Sequence, residues 1–71
     1  MTNPEKVYDF LEKNIRIGFC DDCLEKRVGV NRHEVNTIAS MLALFPKEFS
    51  RVPTACPQQC SNRDKLVTQA I

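Results

Sequence analysis

Apolar residues follow two rhythms along this chain. Up to residue 45 they recur every three or four positions, as on one face of a helix; beyond residue 46 the spacing tightens towards two, as along a strand. Residues 3–15 place Val7, Phe10, Leu11 and Ile15 on one side, with Glu5, Lys6, Asp9, Glu12 and Lys13 mainly on the other. Asn3 suits the N-cap, Pro4 the first helical position and Glu5 the first turn. The stretch RIGF at 16–19 reads as an extended link in which Gly18 supplies a bend. A second helix, capped by Asp21 or Asp22, runs to about Val28 with Leu24 and Val28 facing inward. Gly29 then ends it with positive φ, Val30 packs back and Asn31 caps a third helix. Asn31 and Glu34 have the spacing of a capping box. Val35, Ile38, Met41, Leu42 and Phe45 give the third helix its apolar face over residues 32–45, and Pro46 stops it.

The second half predicts a hairpin. Phe49, Val52, Pro53 and Thr54 suggest an extended segment running into Cys56, with Pro53 confining it to an edge. CPQQC and the polar residues Ser61, Asn62, Arg63 and Asp64 form the connection, and residues 65–71 alternate as a returning strand.

At 71 residues the chain is expected to form one domain over 1–71, near the size at which a fold needs a staple. The cysteines supply a candidate. Cys20-x-x-Cys23 and Cys56-x-x-x-Cys60 are two close pairs, the donor set that structural zinc takes in tetrahedral thiolate sites. Cys23 falls in the first helical turn, where backbone N–H groups stabilise a thiolate. The same four sulfurs accept iron as an alternative. A redox-active Cys20–Cys23 pair lacks the βαβ context it needs, and His33 is a lesser candidate ligand. The N-terminus MTNPEKVYDFLEKN has no apolar signal core and no run is long enough to span a bilayer. The chain is therefore expected in the cytoplasm, away from membranes, where paired cysteines point to metal rather than disulfides.

Charge narrows the function classes. The formal net charge is +1, and four thiolates around one Zn²⁺ would take it to −1. That is not the basic excess usual for nucleic-acid binders. One His and no paired-carboxylate or nucleophile constellation argue against an enzyme.

The segment Leu24-x-x-x-Val28-Gly29-Val30-x-x-x-x-Val35-x-x-Ile38 resembles the helix-turn-helix pattern. With the preceding helix and the hairpin, the order resembles the winged helix-turn-helix superfamily. More narrowly, FCDDCL…RHEV…C…C…KLVT is similar to small bacterial proteins with a CxxCL segment, a helix pair and a C-terminal cysteine hairpin. The resemblance implies a small α+β winged-helix domain of three helices, its C-terminal β-hairpin tied down by zinc. It departs from the family at Glu25, where a small residue is usual, which implies a different crossing angle or a more exposed helix. It also implies double-stranded DNA binding in transcriptional control. Arg32, His33, Asn36, Thr37 and Ser40 would then enter the major groove, with Arg51, Arg63 and Lys65 on phosphates. The alternatives are a protein–protein adaptor of the same fold and a thiolate-based metal or redox sensor.

Metal analysis of the purified chain is expected to return about one zinc per molecule. A coloured, iron-loaded protein would favour the sensor.

Overall fold

A computed structural model of the chain describes residues 1–58 and 65–71, the side chain of Lys65 excepted. The elements run α1 (Asn3–Lys13), β1 (Phe19–Cys20), α2 (Asp21–Val28), α3 (Arg32–Leu42), β2 (Phe49–Thr54) and β3 (Lys65–Ala70). The fold is α+β, with three helices and one three-stranded antiparallel sheet in the order β1-β3-β2. No helix among the described residues is long and apolar enough to cross a membrane.

The cap of α1 lies one residue before the expected one. Thr2 holds the N-cap and forms a capping box with Glu5: the Thr2 hydroxyl accepts from Glu5 N–H at 3.4 Å, and the Glu5 carboxylate accepts from Thr2 N–H at 3.3 Å. Asn3 becomes the first helical residue, and its amide donates to Glu34 Oε2 of α3. The helix also stops two residues early. Asn14 Nδ2 donates to the Phe10 carbonyl at 2.8 Å, and Arg16 adopts φ 65° while its N–H bonds the Ala70 carbonyl. Ile15 therefore leaves the apolar face and is exposed.

The turn between α2 and α3 is built as its residues require. Gly29 sits in the left-handed region at φ 70°, and the Asn31 side chain accepts from His33 N–H at 2.8 Å. Glu25 has a task the pattern did not suggest: its carboxylate accepts from Arg32 N–H at 2.9 Å, satisfying an amide at the open start of α3. Glu34 meets Asn3 instead of reaching back to Asn31.

Helix α3 ends at Leu42, three residues short of its predicted end. Pro46 disfavours helical backbone at Phe45, and the chain tightens beforehand through Leu44 N–H to Met41 O and Phe45 N–H to Leu42 O. Val35, Ile38 and Ala39 are buried as a helix face, but Met41 and Phe45 stand in solvent.

The core gathers Val7, Leu11, Phe19, Leu24, Val35 and Phe49, with Phe10 set edge-on against Phe19 at 4.9 Å. Phe49 also receives the ring of Tyr8 at 5.7 Å. In the hairpin, Ile71 N–H bonds Glu48 O, so even-numbered residues of β2 make its ladder bonds to β3. Pro53 thus lacks its N–H on the free edge, where no ladder bond is lost.

Gly18 is needed for space rather than for a bend. A Cβ there would lie 2.6 Å from Val67 Cγ1 and 3.4 Å from Pro57 Cγ. Gly29→Ala meets nothing within 4 Å and is expected to cost about 1 kcal/mol through backbone strain alone. Gly18→Ala is expected to cost about 1–3 kcal/mol through overpacking, part of which Val67→Ala should recover. Denaturant unfolding of the three single-site and paired variants checks this, and equal losses for Gly18→Ala with and without Val67→Ala would exclude the overpacking account.

Candidate metal centre

Three elements converge beside β3. Cys20 ends β1 and occupies the N-cap of α2; Cys23 is the third residue of that helix; Cys56 follows β2. Cys20 is paired in register with Val67, which packs against Cys20 and Cys56 in a small cluster separate from the main core. The three sulfurs lie within 4.8 Å of one another, and Cys23 Sγ is 3.7 Å from Cys56 Sγ.

That separation has a chemical meaning. A disulfide holds its sulfurs about 2.05 Å apart. A tetrahedral ion with bonds of about 2.3 Å to each thiolate sets them about 3.8 Å apart. The observed sulfur pair matches the second figure, so Cys20, Cys23 and Cys56 can hold a metal ion. Cys20 and Cys56 are buried and Cys23 half-buried, which would shield the bonds from water. The fourth expected ligand, Cys60, lies outside the described residues. His33 is exposed on α3 and does not belong to the sulfur cluster among the described residues.

The surrounding backbone fits a closed site. Gly18 packs under Pro57, and Gln58 Nε2 donates to the Gly18 carbonyl at 3.3 Å. The segment after β2 is thereby held against the strand that carries Cys20.

A second tie crosses the same seam. Asp21, between the two cysteines of α2, accepts both Arg51 nitrogens, at 2.8 and 3.1 Å. Arg51 Nη1 also donates to the buried Thr68 hydroxyl at 2.9 Å. The Arg51 side chain is only 4% exposed. Removing one partner from a buried, bidentate pair of this kind costs about 3–5 kcal/mol, because the other charge is left stranded. Contrary to the expectation from the sequence, neither Asp21 nor Asp22 caps α2: Cys20 holds the N-cap, and the two aspartates lie in the first turn and bind Arg51 and Arg32.

The residues expected to touch DNA are placed as follows. Arg32, His33, Asn36, Thr37 and Ser40 are all exposed on α3. Arg32 Nε lies 2.9 Å from Asp22 Oδ1, and Asn36 Nδ2 donates to Asp21 Oδ2 at 3.2 Å. With Asp21 and His33 they line a polar hollow of about 390 Å³. Arg51 does not stand on the hairpin surface, because its guanidinium is turned inward to Asp21 and Thr68. Arg63 and the Lys65 side chain lie outside the described residues.

The Arg51–Asp21–Thr68 junction was not anticipated. Its signal is an arginine inside a strand, at the alternating position that shares a face with Phe49. Comparisons with family models, with curated proteins and with solved structures found no match to this chain.

Cys56→Ser is expected to abolish metal retention and cooperative thermal unfolding, and chelation should do the same to the parent chain. Unchanged melting in both experiments would show that the sulfur cluster does not hold the fold.

Proposed function

We propose that the chain is a winged-helix-type protein-docking module whose two halves are stapled by one Zn²⁺ on Cys20, Cys23, Cys56 and Cys60. The metal part rests on the sulfur geometry: three cysteine sulfurs lie within 4.8 Å of one another, one pair of them at the 3.7 Å that a tetrahedral thiolate site sets, and in the sequence Cys60 follows Cys56 at a spacing usual for a zinc-ligand pair. Zinc takes such all-thiolate sets as a closed structural site. The winged reading draws support from a helix-turn-helix, α2 to α3, followed by a hairpin whose second strand returns beside β1.

Protein docking is carried by one observation: the two arginines expected to face DNA whose side chains are described are both engaged within the molecule. Arg32 meets Asp22, and Arg51 is buried on Asp21. Glu25 and Glu34 also stand at the start of α3, and a thiolate metal cluster adds negative charge at the start of α2. A phosphate backbone draws its affinity from uncompensated cations, and Arg32 and Arg51 are already paired. Next to it in sequence, Met41, Leu44 and Phe45 are exposed apolar side chains, the kind of surface that protein partners cover.

DNA binding is the second reading, favoured by the exposure of five polar residues along α3. Titration against random duplex DNA at low and moderate salt separates the two. The docking module shows no salt-sensitive binding; retention that falls with salt and on Arg32→Ala would replace it with the DNA reading. A photoreactive side chain at position 44 should form discrete protein adducts in cells, and their absence would count against docking at this surface.

A further inference from the structure

The exposed apolar turn after α3 has neighbours from two other parts of the chain. Leu44 is 76% and Phe45 60% exposed. The pair lines a hollow of about 300 Å³ with Pro46, Lys47 and Glu48. Ile71, also exposed, is fastened beside it by its N–H to the Glu48 carbonyl. Tyr8 of α1 reaches the same region: its ring lies on Phe49, and the carboxylates of Glu12 and then Glu48, together with partial desolvation, raise its phenol above the ordinary value. Apolar groups from α1, the turn and the C-terminal end of β3 thus surround Glu48. The sulfur cluster sits beside Val67, four residues from Ile71 along the chain.

Other features carry less. The hollow on the outer sheet face, lined by Gly18, Val52, Pro57 and Val67, borders the metal centre already described. The free edge of β2 is poor at accepting a further strand, because Pro53 removes a donor there. The hollow at Asp21, Arg32, His33 and Asn36 belongs to the α3 face already weighed.

Resting on the docking reading, we infer that this surface pairs with a second copy of the chain, about a two-fold axis that sets Lys47 of each copy against Glu48 of the other. The charge pattern specifies this occupant. The hollow carries one cation and one anion side by side, and two-fold symmetry makes such a pair complementary to itself. The cation of one copy also approaches a surface made acidic by Glu12 and Glu48. The formal net charge is only +1, so two copies do not repel one another at long range. Leu44 and Phe45 supply the apolar centre that such a contact buries, with the charges at its rim.

Sedimentation equilibrium of the metal-loaded chain should show a reversible dimer at sub-millimolar concentration. Phe45→Glu should weaken it by about tenfold or more, with metal content and melting temperature retained. Lys47→Glu and Glu48→Lys should each weaken self-association, because like charges then face each other. Mixing these two variants should restore a heterodimer, which nonspecific stickiness would not produce. A monomer at all concentrations, or no recovery on mixing, overturns the pairing. If position 44 still forms adducts in cells, none of them twice the 8.1 kDa mass of the chain, docking stands with a different partner. If neither dimer nor adduct forms, the docking reading fails with it.

Discussion

The helices and the hairpin of this chain meet at one seam, and most of the structure is arranged to hold it. Cys23 lies in the first turn of α2 and Cys56 follows β2, yet their sulfurs approach to 3.7 Å. A domain of 71 residues has limited apolar surface to bury, which is the setting in which a small fold gains from a junction of this kind. The seam is doubled. Beside the sulfur cluster, Arg51 of β2 is held by Asp21 of α2 and by Thr68 of β3. The two devices differ in kind: one is a cluster of three cysteine sulfurs that can hold a metal ion, the other a buried ion pair. Both are anchored in the same first turn of α2, so displacement of that turn disturbs them together.

Much of the fold was legible because local chemistry and tertiary packing agree. Gly29, Asn31 and Pro53 occupy the conformations or edges that their backbones favour, and the alternation after residue 65 is that of a strand. The misses came where a remote contact overrode a local pattern. Ile15 and Phe45 fit helical periodicity, but Arg16 must bond Ala70, and Phe49 must enter the core four residues after Phe45. At the candidate metal centre, residue types and spacing marked Cys20, Cys23 and Cys56, the three cysteines whose sulfurs the fold gathers within reach of one ion. Arg51 did not reveal itself in this way, because an arginine on a hairpin reads as a surface cation until the strand register turns it towards Asp21.

Shape and charge lead to different functions for the same scaffold. The helix pair presents α3 outward, as a reading head would require. The carboxylates of Asp21, Asp22, Glu25 and Glu34 gather at the beginning of that helix and occupy hydrogen-bond donors that a duplex would need. Glu25 illustrates the compromise: it satisfies the amide of Arg32 but places a negative charge where phosphate would approach. The premature end of α3 has the opposite effect, releasing Phe45 from the helical face and leaving it at the surface beside Leu44. Phe45, a core position in the sequence pattern, thereby becomes a candidate for contact with another molecule.

The two-residue strand β1 has a consequence larger than its size. It pairs Phe19 with Thr68 and Cys20 with Val67, so the place of one sulfur and the alignment of β3 are a single condition. Sliding β3 by one residue would turn Thr68 away from Arg51 and exchange the faces of Val67 and Thr68. It would also move the backbone that supports Cys20 and Cys56. The gathering of the sulfurs is therefore coupled to strand alignment: a hairpin paired out of phase would displace the backbone that brings Cys20, Cys23 and Cys56 together.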